Sequence, residues 1–408
     1  MMFLVISAIV GAVEFLSYRS MQRTHDGATW WPTAKAVWWS VSGLLWGLFI
    51  VNSFMWPRWR ATHPELLMWI SMAFIVVMVP KLVLATFQIA EEVRRLGAIG
   101  VRELQNGEQP IARSTFLSYI GQGAAALTFG SFLYGVTRGK YAYRVERHVL
   151  NLKGLPQSMA GMKVVQISDA HLGSFDGTPG PVLEALERIN GLEPDLILFT
   201  GDLVNTEASE AEVWVEAFRG LKARLGKYSI MGNHDYADYG NFSEEERTAS
   251  IQRLHEIHKE MGFRLLLNEH ERIEGEDGAL LLVGVENWGK GFRKSGDLPR
   301  ALEGSGHRDT CTVLMSHDPT HWEEQVMQGK EDIELTLSGH THGMQMGIEI
   351  PWLGLKVSPS KLRYSRWGGL YEEAGQFLHV NRGFGVLGFH GRVGMPPEIT
   401  LLELQPKA

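Results

Sequence analysis

A single cysteine, Cys311, serves a chain of 408 residues. That scarcity excludes an intramolecular disulfide framework and any thiolate metal cluster, and it leaves the compartment open, because an exported bacterial protein needs no disulfide. The setting Cys311-Thr-Val-Leu-Met315 reads as a buried strand, so the thiol is expected to be packed and inert. Internal repeats and long low-complexity segments are also missing. Positive charge is short in the larger part of the chain: residues 151–408 hold 25 Lys and Arg against 38 Asp and Glu, a balance of −13. That field disfavours nucleic acid as a partner. Residues 1–150 balance at +6, so the net −7 hides two unlike parts.

Charge of either sign is scarce in four stretches of the first third. Met1–Tyr18 carries only Glu14, Ala34–Trp56 only Lys35, Glu65–Ala90 is interrupted by Pro80-Lys81, and Thr115–Val136 carries none. Each is near the length of a bilayer crossing, which predicts an α-helical transmembrane region over residues 1–139 with about four helices. Eight of the 13 tryptophans lie between Trp30 and Trp69, where they flank or cap the second and third stretches as interfacial belts do. Glu14 and Lys81 fall inside spans, where charge is expensive and functional by default; the competing expectation is that both snorkel to a nearby end. Positive charge does not orient the region, since six basic residues fall on each side. Ala112-Arg-Ser-Thr-Phe-Leu117 resembles a decayed twin-arginine export signal with Ser114 in place of the second Arg. It implies that the fourth helix starts in the cytoplasm and that the chain beyond this helix lies outside.

Residues 140–155 read as a linker or first strand, with Tyr141, Tyr143 and Val145 alternating ahead of Leu155-Pro156. Beyond it the pattern predicts strands at Lys163–Ser168, Asp195–Thr200, Lys227–Met231, Leu280–Val285, Thr312–Ser316 and Glu334–Ser338. Helices fit Pro181–Asn190, Glu210–Ala223 and Glu244–Met261. This is an α/β layered domain. Five strand ends each deliver Asp, Asn or His: Asp169-Ala-His171, Gly201-Asp202, Gly232-Asn-His-Asp235, His317-Asp318 and Gly339-His-Thr-His342. Such loops are where α/β folds keep their chemistry. If Ser338–Gln345 were extended, His340 and His342 would project from one face.

That ordered series resembles the calcineurin-like metallophosphoesterases, in their membrane-tethered bacterial branch, over residues 156–408. The motifs at Gly339–Gly343, Val380-Asn-Arg-Gly383 and Pro396-Pro-Glu-Ile399 carry the likeness to that branch. The resemblance implies a four-layer αββα sandwich and two divalent metal ions. Asp169, His171, Asp202 and His342 would hold one ion; Asp202, Asn233, His317 and His340 would hold the other, with Asp202 bridging. Carboxylate, imidazole and amide oxygen suit Mn²⁺ first, then Fe or Zn²⁺, better than Mg²⁺ or Ca²⁺. Hydrolysis would follow from metal-activated hydroxide, with Asp202 and His234 as the catalytic residues. Asp235 would either orient His234 or cap the turn. Where several relatives carry a carboxylate that pairs with this histidine, Asn205 stands here, and its amide would leave His234 a neutral donor. Asn205, His390 and Arg392 are the substrate-binding candidates. His255 and His258 read as a solvated helix face, and His321 and His379 have no spacing that assigns them a role.

Residues 350–370, IPWLGLKVSPSKLRYSRWGGL, hold four basic residues and no acidic one. A basic, aromatic flap suits anionic headgroups, and an ordinary surface loop with inward tryptophans is the alternative. Membrane lipids and a phosphate-ester substrate are the expected partners, the substrate being a phospholipid, a lipid-linked pyrophosphate or a nucleotide-linked lipid precursor. Met344 adds an apolar side chain near the mouth. A broad phosphoesterase tethered for location, or a silent membrane scaffold, are the other readings. The expected location is the bacterial inner membrane, multi-pass, with the catalytic domain extracytoplasmic.

Overall fold

The structure, a computed structural model, describes residues 2–62, 64–105, 114–175, 179–329 and 331–407. The chain divides into two compact units, Met1–Thr137 and Arg138–Ala408.

The first unit is four helices: α1 (Met2–His25), α2 (Trp31–Thr62), α3 (Pro64–Gln105) and α4 (Ser114–Thr137). Pro80 does not end α3, which runs on for 42 residues. Large apolar side chains such as Leu44, Phe54 and Leu127 face outward. That is the reverse of a water-soluble bundle and suits a lipid surround. Among the described residues, two stretches are long and apolar enough to cross a membrane, Trp31–Met55 and Leu66–Gly97, where the sequence suggested four. Glu14 and Arg19 dilute α1, and Gln122 with four glycines dilutes α4. Ala112 and Arg113 of the export-like motif lie outside the described residues.

Snorkelling is the wrong reading of Glu14 and Lys81. Lys81 Nζ lies 2.7 Å from Glu14 Oε1, joining α3 to α1, and both side chains are nearly sealed. Ser42 of α2 accepts from Lys81 at 2.6 Å and donates to Glu14 Oε2 at 3.1 Å. Trp38 Nε1 also donates to Glu14, at 3.2 Å, and its ring lies 4.5 Å from Lys81 Nζ. Each charge is therefore met by an opposite charge and by hydrogen bonds, the condition under which an ion pair tolerates apolar surroundings.

Two six-stranded sheets build the second unit. The first runs β1 (Arg144–Leu152), β14 (Glu398–Pro406), β2 (Met162–Ile167), β3 (Leu196–Phe199), β4 (Gly226–Ser229), β5 (Arg264–Leu265). All its pairs are parallel except β14 with β2. The second runs β12 (Gly369–Glu373), β13 (Gln376–Val380), β9 (Leu335–Ser338), β8 (Cys311–Met315), β7 (Ala279–Gly284), β6 (Glu269–Glu274), with antiparallel pairs only at its two edges. A separate hairpin pairs β10 (Ile348–Ile350) with β11 (Leu355–Val357).

Strand periodicity makes four layers from these sheets. Val164, Leu196, Leu198, Leu280, Leu282 and Val313 meet between the sheets, where Cys311 also lies. Burial pushes its thiol up, so it stays protonated and inert. Their neighbours Val165, Ile197 and Phe199 face the helices α5 (Gly180–Asn190), α6 (Ser209–Glu212), α7 (Val215–Arg219) and α8 (Glu244–Glu260) on the outer side of the first sheet. Leu281, Val283 and Leu314 pack on the other outer side with Trp322 and Leu298. The αββα sandwich is thus present.

One open reading is settled and two change. Residues 144–152 are the first strand rather than a linker: β1 pairs along its length with β14, from Arg144↔Glu398 to Leu152↔Pro406. The single helix expected over 210–223 is two short ones, because the low-propensity run Val213-Trp-Val215 interrupts it while Trp214 and Val215 pack into the core. On α8, capped by Ser243 and Glu246, the two histidines do not form a solvated face: His255 is half-buried and His258 is inside. His258 is buried, with its ring held down to about 3 by burial, and His255 Nε2 lies 3.2 Å from Met231 Sδ.

Candidate metal centre

Parallel strands put their carboxyl ends on one side, and the loops after β2, β3, β4, β8 and β9 converge there. Asp169 (φ +52), His171 (+44), Asp202 (+59), His340 (+72) and His342 (+52) all take left-handed backbone. That conformation costs a non-glycine residue roughly 1–3 kcal/mol, and its clustering marks a functional loop set. It also corrects the extended reading of 338–345. β9 ends at Ser338, and the turned backbone sends the two histidines to different places.

Asp169, His171 and His342 form one group, and Asp202, His317 and His340 another; within each, one candidate ligand atom per residue lies within 4.8 Å of the others. His171 Nε2 and His342 Nε2 stand 3.1 Å apart, and His342 Nε2 is 3.2 Å from Asp169 Oδ1. Asp202 Oδ2 faces both groups, at 3.6 Å from His171 Nε2 and 3.1 Å from His317 Nε2. His340 Nε2 is occupied by the Tyr364 hydroxyl at 2.8 Å, which leaves Nδ1 as its ligand atom.

Electrostatics prepares these groups for cations. Burial holds His340 neutral, down to about 4, and His171 well below its ordinary range, so both keep a lone pair. Burial alone would raise Asp169 and Asp202, but the imidazoles of His342 and His317 beside them pull both carboxyls below the usual range. His317 is opposed by burial yet raised to about 10 by Asp202 and Asp169. Asn233 supplies the direct test of fit. Its amide nitrogen donates to Tyr239 Oη at 2.7 Å, while its Oδ1 is buried without a hydrogen-bond partner. A buried acceptor left so costs about 1–3 kcal/mol, and a cation satisfies it. The residues would fit a divalent ion at each group, with Asp202 facing both.

Asp235 does not touch His234. Its carboxylate accepts the backbone N–H groups of Asp202, Leu203, Val204 and Gly232, at 2.8–3.3 Å, so it fixes the loop that carries Asp202. His234 stacks on Tyr239 and donates its backbone N–H to Asp202 Oδ1 at 2.8 Å. Its Nδ1 lies 2.6 Å from the Asn205 carbonyl oxygen. The expectation for Asn205 is therefore corrected: its amide faces Ser174 Oγ, and its backbone binds His234. A carbonyl only accepts, so Nδ1 carries a proton, and Nε2 can donate only as imidazolium.

Arg392 is corrected as a substrate contact. It is buried, and its nitrogens donate to the carbonyls of Gly383, Gly385 and Met395. It braces the segment against the metal groups, where a Cβ on Gly383 would fall 3.0 Å from Asp169 Cβ. His390 is buried in the neighbouring loop and belongs to neither group. His321 bonds Ser316 and Gln325, and His379 bonds Gln166, so both are structural. Sequence reasoning missed Tyr239 and Tyr364, and it gave no role to Asp318, whose Oδ2 is 3.4 Å from His340 Nε2. Only Asp318, adjacent to His317, carried a signal.

Comparison with known proteins agrees with this geometry. Residues 162–344 match the family model described as calcineurin-like phosphoesterase, and residues 1–140 match one described as probable calcineurin-like phosphoesterase, transmembrane domain. An uncharacterized metallophosphoesterase of Bacillus subtilis (strain 168), YkuE, is 30% identical over 288 residues, 69% of this chain and 93% of that one. The proteins named transmembrane protein with metallophosphoesterase domain from Danio rerio and Bos taurus are 28% and 33% identical, over 76% and 62% of this chain. The chain spans 68% and 54% of their lengths. It belongs to the calcineurin-like metallophosphoesterases. It is a membrane-associated, metal-dependent phosphoesterase with a dinuclear type of site.

Proposed function

We propose that this protein is a phosphodiesterase or pyrophosphatase of the bacterial inner membrane, multi-pass, acting with Mn²⁺ on a lipid-linked or membrane-surface substrate outside the cytoplasm. The observation that carries the hydrolytic reading is the pair of Asp/His groups, both of which Asp202 Oδ2 faces, together with the orphaned Asn233 Oδ1. Asp169, His171, Asp202 and His342 would hold one ion, and Asp202, Asn233, His317 and His340 the other. Bound divalent ions supply Lewis-acid stabilisation of phosphoryl oxygens and lower the pKa of water. The chain's own residues do the rest. His234, held by the Asn205 carbonyl, presents Nε2 as a proton donor to a phosphoryl or leaving oxygen when the ring is charged. The buried loops exclude bulk water from the carboxylates, and Asp235 keeps Asp202 in place.

Two observations support a lipid-linked substrate: the apolar helical unit, and the exposed Met344 two residues beyond His342. Purified full chain is expected to turn over bis-p-nitrophenyl phosphate with Mn²⁺. Chelator, or Asp202→Ala, should lower the rate on the order of 10³-fold or more. Unchanged turnover in Asp202→Ala would remove the metal-centred reading. A micellar phosphodiester should be preferred over a soluble one, and protease accessibility of the second unit in intact cells tests the orientation.

A further inference from the structure

The hairpin β10–β11 is built inside out. Along each strand, alternate residues take opposite faces. Glu349 and Lys356, which pair across the hairpin, both turn inward. Glu349 Oε2 accepts from Arg382 Nη1 at 2.7 Å, and Lys356 Nζ donates to the Gly368 carbonyl and sits over the Trp367 ring. The apolar positions are the ones left outside: Ile348, Leu355 and Val357 are exposed on the strands, and Trp352 (82%) and Leu353 stand exposed on the connection. Leu362, just beyond, is 93% exposed and flanked by exposed Lys361 and Arg363. An ordinary surface hairpin would bury the leucines and solvate the charges. Here charge fixes the hairpin to the domain and apolar surface faces out, which marks an interaction surface.

We propose that this hairpin seats on an anionic phospholipid bilayer and holds the metal centre at the headgroup layer. This rests on the membrane-surface reading of the substrate given above. Charge complementarity favours a bilayer. No acidic residue lies between Ile350 and Leu370, and Glu349 is consumed inward, so no carboxylate of the hairpin opposes anionic headgroups. Trp352 at the tip with Lys361 and Arg363 behind it is the arrangement of interfacial anchors. The chain's own apolar helices bring a bilayer within reach of the same molecule.

The hairpin is also tied to the centre it would deliver. Ser358 Oγ donates to the Gly343 carbonyl at 2.6 Å and Ser360 Oγ to that of Thr341 at 3.3 Å. Thr341, between the two histidines, donates to the Trp367 carbonyl, and Tyr364 holds His340. Seating the hairpin therefore fixes the distance of both histidines from the lipid surface.

Because Cys311 is buried, a single introduced cysteine can be labelled in the full chain. A spin label on Leu353→Cys, in nanodiscs of phosphatidylcholine with phosphatidylglycerol, should collide with membrane-dissolved oxygen and be shielded from an aqueous nickel chelate. The same label on Val213→Cys, an exposed position, serves as the water reference. Equal accessibility at the two positions overturns the proposal, as does spin–spin broadening between copies without lipid contact, which would assign the surface to a second copy. The triple variant Trp352→Ser, Leu353→Ser, Leu362→Ser should lose about tenfold in kcat/KM on a bilayer-embedded phosphodiester while keeping bis-p-nitrophenyl phosphate turnover. Equal loss on both esters, or on neither, overturns the delivery role. If the wild-type chain cleaves neither ester, the hydrolytic reading fails, and label depth alone still decides whether the hairpin seats.

Discussion

At the scale of single residues, His234 and Asn205 show how a backbone atom can take a role expected of a side chain. Asn205 binds the imidazole through its carbonyl and turns its amide to Ser174. His234→Ala should lower turnover roughly 10²-fold or more, since its Nε2 is the side-chain proton donor left free by the Asn205 contact. Asn205→Asp places its new charge at Ser174, so it should shift turnover by less than about tenfold. Steady-state rates for the two variants check both statements. A larger loss in Asn205→Asp would show that the side chain reaches the ring. Arg392 teaches a related lesson. A guanidinium near a phosphate-binding loop suggests substrate, yet this one spends its donors on three carbonyls that brace the loop.

At the scale of elements, five strand ends were legible because short apolar runs followed by Asp, Asn or His leave little ambiguity in an α/β chain. The helical face of α8 was not. Charged residues dominate Glu244–Glu260, and only tertiary packing, with Phe199 beside the ring, puts His258 inside. That burial has a pH signature. The folded ring is held at about 3 and the unfolded ring titrates near 6.5, so the unfolded chain binds a proton that the fold refuses. The associated stability is fully present above about pH 6.5 and is lost as pH falls toward 3, by up to ~1.4 kcal/mol per pH unit. His321 and His379, each lowered to about 4 by burial, act with the same sign. His258→Leu should therefore make the acid limb of thermal unfolding shallower without flattening it. Near-UV circular dichroism melts at stepped pH measure this, and an unchanged limb would show that His258 is protonated in the fold.

At the scale of the whole molecule, two units answer to two solvents. The first places apolar side chains outward and gathers Glu14, Ser42 and Lys81 within. Glu14→Gln or Lys81→Met alone leaves one charge buried and unpaired, which should destabilise the helical unit by about 3–5 kcal/mol. The double variant removes both charges and should recover most of that loss. Monodispersity after heating in detergent reads the difference, and a double variant no better than either single one would show that the pair does not act as a unit. Per folded molecule, turnover of a soluble ester should stay the same in all three, because the second unit has its own core.

By itself, the sequence determined the apolar helical region, the α/β alternation and the ordered Asp, Asn and His residues at strand ends, because these are local: period, run length and residue type within a few positions. Tertiary structure decided what those residues face. The left-handed turns that part His340 from His342, the carbonyl that holds His234, the pairing of Glu14 with Lys81 and the inverted hairpin all depend on contacts between segments far apart in the chain. Local periodicity carries no information about which distant group a side chain meets, and burial of charge is set by that meeting alone.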